Sequence, residues 1–236
     1  MHDHPHHEEH FKSPDMVRDI VIGMADGLTV PFALAAGLSG AVDSNLIVIT
    51  AGVAEIVAGS IAMGLGGYLS AKTEIDHYHA ELKREYYEVE KLPHKEKEEV
   101  QEVLQAYGIS EATRIKVAEE MSLDKDKWVE FMMRYELGLE KPDDKRAGKS
   151  AANISISYIV GGFIPLSAYF FTSHPHEGLI YSSAITLVAL LIFGYFKSRA
   201  TGQSPFSGAL RTALIGALAA GAAFGIALFI NAKTGM

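Results

Sequence analysis

There is no cysteine anywhere in the 236 residues. That absence removes disulfides, thiolate zinc sites and thiol catalysis together, and leaves any metal site to Asp, Glu, His and Met. No Walker-type phosphate loop, dinucleotide fingerprint or nucleophile elbow occurs, so ATP-driven work and enzymatic roles of those kinds have no support. Positive charge is scarce: 21 Lys and Arg against 29 Asp and Glu give a net charge of −8, which disfavours a nucleic-acid partner. The first 15 residues lack the basic start and apolar core of a secretory signal, so the first span is expected to direct insertion itself.

What the chain does have is unevenly spread. Apolar blocks occupy both ends and polar residues the middle, so the average hydropathy misleads. Five segments, 18–40, 45–70, 151–171, 179–196 and 206–230, meet the roughly 20 residues needed to cross about 30 Å of hydrocarbon. The fourth is the shortest. Lys12, Arg18, Lys72, Lys145, Arg146, Lys149, Lys197 and Arg199 fall on one side of these spans. The loop around Asp43 and the loop His174-Pro175-His176-Glu177 contain no Lys or Arg. The positive-inside rule then places the N-terminus and the central insert in the cytoplasm and the C-terminus on the far side, where Lys233 is the one basic residue. The expected fold is an all-α integral membrane protein of five transmembrane helices, with a cytoplasmic helical domain between the second and third. Its parts are a tail (1–17), two spans (18–71), the insert (72–149) and three spans (150–236).

Helix-forming residues continue from Ser70 to Lys91, so the second span is expected to leave the membrane as one long helix, ended by Pro93. A helix over 95–107 carries Val100, Val103, Leu104 and Tyr107 at helical spacing and stops at Gly108. Ser110 is placed to cap a third helix, to Met121. Asp124 is placed to cap a fourth, with Trp128, Phe131, Met132 and Tyr135, that stops at Gly138. The run 139–144 is the return linker.

The chemistry lies in the exceptions to this pattern. Asp26 and Glu55 stand inside the first two spans, where each ionised side chain costs roughly 2.5–3.5 kcal/mol on insertion scales. Such a residue needs a partner or a task, and a cation supplies both. Asp26 lies between Gly23 and Gly27, with Pro31 about one turn on, so close helix approach and a freed backbone carbonyl accompany it. Met63 follows Glu55 by eight residues, at a separation that suits successive positions on one route. Alone, Met63 reads as packing; beside two carboxylates it is a soft ligand that favours a transition metal. Asp19 sits at the cytoplasmic mouth, as an entrance for cations or as a complement to the helix dipole.

In the insert, Glu85 and Glu88, and again Glu96 and Glu99, are three apart and share a helix face, and Glu102 continues the second row. Met132, Met133 and Glu136 add thioethers and a carboxylate. Spacing alone leaves two readings open: a metal-binding face, or a solvated charged face neutralised by Lys83, Arg84, Lys95 and Lys97. His2, His4, His6, His7 and His10 form a weak metal-binding tract or a tail without fixed geometry. His77 and His79, two apart, diverge on a helix and read as surface residues.

Three runs resemble the vacuolar iron transporters: Asp26-Gly27-Leu28-Thr29-Val30-Pro31-Phe32-Ala33-Leu34, Met63-Gly64-Leu65-Gly66-Gly67-Tyr68-Leu69, and Phe131-Met132-Met133 with Glu136-Leu137-Gly138-Leu139-Glu140-Lys141-Pro142. The likeness covers nearly the whole chain from Phe11 onwards, in order and spacing. It implies a homodimer with the path at its interface, a cytoplasmic metal-binding domain, and exchange of Fe²⁺ for protons. It also implies that Asp26, Glu55 and Met63 line the membrane path, with Asp19 a weaker match near the entrance. Glu85, Glu88, Glu96, Glu99, Met132, Met133 and Glu136 are the implied metal ligands of the insert. The His-rich start is outside this pattern. The membrane is vacuolar if the source is a plant and the plasma membrane if it is a bacterium.

A mechanism consistent with the resemblance follows from ligand chemistry. Ligands must be deprotonated to hold a cation, so metal entering near Asp26 and Glu55 displaces protons, and protons from an acidic far side release it. The expected partners are the lipid bilayer, a second copy of the chain and divalent metals, Fe²⁺ first and Mn²⁺ among others, with no resident cofactor. Two other readings are a membrane-anchored metal buffer or sensor without transport, and a carrier of an organic cation.

Overall fold

A computed structural model describes residues 14–234; the histidines at 2, 4, 6, 7 and 10 and Lys12 lie outside them. The described residues form helices α1 (Pro14–Ser39), α2 (Asn45–Lys91), α3 (Pro93–Ala106), α4 (Glu111–Met121) and α5 (Lys125–Phe131), then a π-helical turn (Met132–Glu136). After it come α6 (Arg146–Ser167) with a closing 3₁₀ turn (Ala168–Phe170), α7 (Pro175–Ala200) and α8 (Pro205–Thr234). Among the described residues, five helices are long and apolar enough to cross a membrane, as expected: Asp15–Ser39, Asn45–Lys91, Arg146–Phe170, Pro175–Ala200 and Pro205–Ile230.

Proline sets several of the helix starts. Pro14, Pro93, Pro175 and Pro205 are the first residues of their helices, where the ring's fixed φ suits the first turn and the missing N–H costs nothing. This corrects one expectation: Pro175, His176 and Glu177 are not loop but the first turn of α7, where Glu177 complements the positive helix end. The fourth span is therefore no shorter than the first; both α1 and α7 have 26 residues. Pro31 and Pro165 sit inside α1 and α6, so each leaves the carbonyl four residues earlier, at Gly27 and Gly161, without its helical donor.

The described residues divide into two compact units: those before and after Leu69–Ala147 form the first, and Leu69–Ala147 forms the second, with α2 contributing residues to both. In the first unit α1, α7 and α8 pack on one another, and small residues set the spacing. Gly178, Ser182, Thr186, Leu190, Gly194 and Ser198 form a buried stripe along α7 at four-residue intervals. At Gly194 an added methyl group would come within 2.8 Å of the Gly208 carbonyl oxygen on α8, so that crossing requires glycine. α6 lies equally close to α1: a methyl at Gly27 would stand 2.9 Å from the Tyr158 Cα, and one at Gly23 2.9 Å from the Ser157 Cβ. Gly23 and Gly27 thus serve a contact within the chain, whereas Gly221 and Gly225 on α8 have open space around them.

The second unit closes around Val89, Val100, Ala118, Trp128, Val129, Met132 and Met133. Its helix ends follow local chemistry. Gly108 (φ 78°) and Gly138 (φ 65°) take the left-handed conformation past the ends of α3 and of the π turn. The Asp124 side chain accepts from the Lys127 N–H at 3.2 Å, capping α5. Ser110 occupies the N-cap of α4, but its hydroxyl pairs with that of Thr113 at 3.0 Å and not with the backbone.

Candidate functional site

In the first unit the two carboxylates of the spans stand where α1, α2 and α6 meet. Asp26 follows Ala25 on α1 and precedes Gly27, the glycine on which Tyr158 of α6 rests. On α2, Glu55, Gly59 and Met63 recur at four-residue spacing and so share one face. Asp26, Glu55 and Met63 are all half-buried within this single chain.

The sequence reading missed Tyr158. Its hydroxyl donates a short hydrogen bond to Glu55 Oε1, across 103 residues of chain, while Glu55 Oε2 is buried with no partner. A phenol in the middle of the third span was the available signal, since a buried Tyr O–H ordinarily finds an acceptor. Asp19 is also more enclosed than its position near a helix start suggested: it is buried, and its Oδ1 accepts from Ser150 of α6 at 3.1 Å. One level further along α6, Ser155 donates to the Ser60 carbonyl at 2.9 Å. Polar contacts thus recur along the seam of α6 with α1 and α2.

In the second unit the acidic rows do not behave as a uniform solvated face. Glu88 is taken up by Arg84 (3.3 Å) and Glu99 by Lys95 (2.6 Å), as neutralisation requires. Lys97 turns instead to Glu119 at 2.7 Å. Glu85 and Glu96 are buried, at 2% and 0% exposure; Glu85 Oε2 and both oxygens of Glu96 have no hydrogen-bond partner. Burial first, and then the charges of Glu136, Glu88 and Glu99, push the Glu85 carboxyl up to about 7. Burial, then Glu99, Glu85, Glu88 and Glu136, push Glu96 up to about 8. Glu136, open to solvent at its edge, is raised by desolvation and by Glu99. Five glutamates from α2, α3 and the π turn therefore lie within electrostatic reach of one another.

The π turn is the local device that joins the methionines to this group. The Leu137 N–H reaches back to the Met132 carbonyl at 3.1 Å, one residue further than in an α-helix, and Leu139 reaches Met133 at 2.7 Å. Met132 and Met133 are both buried, at 0% and 2%, although adjacent in sequence. Among the described residues, no three His, Asp or Glu side chains close to ligand distance around one point. The carboxylates repel, and a cation is what would draw them together. His77 and His79 are surface residues, as expected, each 4.0 Å from an acid, Glu81 and Asp144. Glu102 is exposed.

Comparison with known proteins bears on what such an arrangement serves. The model of the VIT family matches residues 17–228. Vacuolar iron transporter 1 of Arabidopsis thaliana is 54% identical, over 96% of this chain and 90% of its own length. Vacuolar iron transporter 1 of Oryza sativa subsp. japonica is 51% identical, over 98% of this chain and 92% of its own. Protein CCC1 of Saccharomyces cerevisiae is 40% identical, over 89% of this chain and 68% of its own.

Proposed function

We infer function from one premise: this chain belongs to the VIT family, a family of transporters and not of enzymes. On that premise the protein carries Fe²⁺ out of the cytoplasm across a vacuolar membrane, in exchange for protons, and accepts Mn²⁺ or related divalent ions to a lesser degree. Asp26, Glu55 and Met63 line the membrane path, Asp19 stands near its entrance, and the path is completed by a second copy of the chain. The insert is a cytoplasmic metal-binding domain in which Glu85, Glu88, Glu96, Glu99, Met132, Met133 and Glu136 gather the ion before it enters.

One observation supports this most: Glu85 and Glu96 are buried with unpartnered oxygens, beside three further glutamates and on a unit whose core holds two adjacent methionines. Unpaired buried acids cost stability, so their retention calls for an occupant. Carboxylates supply charge for a dilute divalent ion, and thioethers shift preference from Ca²⁺ and Mg²⁺ toward transition metals while keeping the hold loose enough for release. Protons compete with metal for every one of these carboxylates, which is the physical basis for coupling export to a pH gradient.

The test is Fe²⁺ uptake into proteoliposomes with and without an acidic interior. Asp26→Asn conserves volume and removes the charge, and is expected to abolish gradient-driven uptake while the protein still binds metal. Normal uptake by well-folded Asp26→Asn protein would return the molecule to the role of a membrane-anchored metal buffer. For the assembly, mass measurement in mild detergent is expected to give a dimer, and an active monomer would exclude the shared path.

A further inference from the structure

We propose that Tyr158 is a positioning residue that restricts Glu55 to a single-oxygen contact with the transported ion and so disfavours Ca²⁺. The proposal rests on Glu55 being in the path, as inferred above. Three features of the structure carry it.

The first is the hydrogen bond itself. Tyr158 donates to Oε1 of Glu55, and the other oxygen, Oε2, is buried and unpartnered. Oε2 is therefore the atom left for a ligand. A hydrogen bond to an ionised carboxylate is among the stronger ones, so the hydroxyl is a serious competitor for Oε1.

The second is that the ring has nowhere else to go. Tyr158 is 2% exposed, and its two ends are set against glycines on two different helices. Its Cα would be 2.9 Å from a methyl group at Gly27, and its ring carbon Cε1 2.7 Å from one at Gly59. Gly59 is one helical turn from Glu55 on the same face of α2, and Gly27 is the neighbour of Asp26. Both glycines are thus required where they stand, so that Tyr158 fits against α1 and α2 with its oxygen at Glu55. A helix tie alone would be met by any apolar residue of similar size; only the hydroxyl acts on the carboxylate.

The third is the placement of Met63 on the face that carries Glu55 and Gly59. Ca²⁺ takes six to eight oxygens and commonly both oxygens of one carboxylate, whereas a first-row transition ion accepts a single carboxylate oxygen and can move on to a softer ligand. Holding Oε1 away removes the bidentate grip that Ca²⁺ needs and leaves Oε2 to hand the ion on to the thioether, about 12 Å further along the same face of α2. It also keeps the hold on Fe²⁺ weak, which turnover requires.

The experiment compares Fe²⁺ uptake by wild-type and Tyr158→Phe proteoliposomes, with Ca²⁺ as competitor. Phenylalanine keeps the ring and removes the hydroxyl. We expect the KM for Fe²⁺ to fall and the maximal rate to fall about tenfold, with Ca²⁺ becoming an inhibitor at concentrations that leave the wild type untouched. A purely structural tie would lower the maximal rate through loss of folded protein, with KM and Ca²⁺ sensitivity unchanged, and that result overturns the proposal. So does a raised KM. Glu55→Gln separates the two readings: if it transports normally, Glu55 is not in the path and the reading beneath this proposal fails. If it is impaired while Tyr158→Phe behaves as wild type, only the proposal fails. Should Tyr158→Phe fold poorly, 3-fluorotyrosine at position 158 keeps both ring and hydroxyl. Its ¹⁹F resonance is expected to move on adding Zn²⁺ to the otherwise wild-type protein and not in the Glu55→Gln background; no movement in either overturns the proposal.

Discussion

Replacing Glu96 with glutamine is expected to make the second unit more stable and worse at holding metal, and the two effects follow from one fact. Glu96 is wholly buried, neither of its oxygens has a partner, and its carboxyl is pushed up to about 8 by burial and by the neighbouring glutamates. In the unfolded chain the same group titrates near 4.5. The folded state therefore binds more protons than the unfolded state between these limits, and stability falls as pH rises from about 4.5 to about 8. Holding this carboxylate ionised in the metal-free protein at pH 8 therefore costs on the order of 3–5 kcal/mol, part of it shared with Glu85 through their mutual repulsion. Glutamine mimics the protonated acid and carries no charge to desolvate. Even if half the penalty is returned by an imperfectly bonded amide, the melting midpoint of this unit at pH 8 should rise by roughly 5 °C or more. The chain's only tryptophan, Trp128, is 3% exposed in the core of this unit, so its fluorescence on heating reports the transition in the full-length protein. Chelated wild type should melt higher at pH 6 than at pH 8, and Glu96→Gln should lose most of that difference. A pH-independent wild-type midpoint, together with a variant less stable than wild type at pH 8, would refute the reasoning.

Metal binding by the full-length protein should tighten between pH 6 and pH 8, with roughly one to two protons released per ion from Glu85 and Glu96, countable by calorimetry in buffers of different ionisation enthalpy; zero protons released near pH 7 would contradict the buried-acid account. Replacing Met132 and Met133 with leucine keeps volume in the core and should cost no more than about 1.5 kcal/mol each in stability, while weakening Fe²⁺ binding more than Mn²⁺ binding in a Trp128 fluorescence titration. Equal loss for both ions would assign the methionines to packing alone.

The spans and the helix ends were legible because their causes are local. Hydropathy summed over some 20 residues found the five membrane-length helices, and Pro93, Gly108, Asp124 and Gly138 mark helix boundaries through φ preference and capping that need no distant partner. The same local logic was misapplied at Pro175, where a Pro-containing loop is in fact the opening turn of α7. The acidic rows of α2 and α3 were visible as faces, because residues three apart on a helix point the same way.

What the rows could not reveal is which acids are buried. Glu85 and Glu88 have the same composition around them, yet one is enclosed and the other pairs with Arg84; that difference arises from how α2, α3 and the π turn close on one another. The π turn itself was read as plain helix, since one displaced hydrogen bond leaves no mark on periodicity. Gly23 and Gly27 could be recognised as a close-contact motif, but their partner, α6, lies some 130 residues further along and was not specified by the motif. Tyr158 and Glu55, 103 residues apart, became neighbours only through the crossing of α2 with α6. Sequence alone determined where this chain is helical, which helices can enter a bilayer and which carboxylates are costly there, because propensity and hydrophobicity act residue by residue along the chain. Tertiary structure decided which costly groups share a partner, because Coulomb and hydrogen-bond energies depend on distance in space, and helix crossings set that distance.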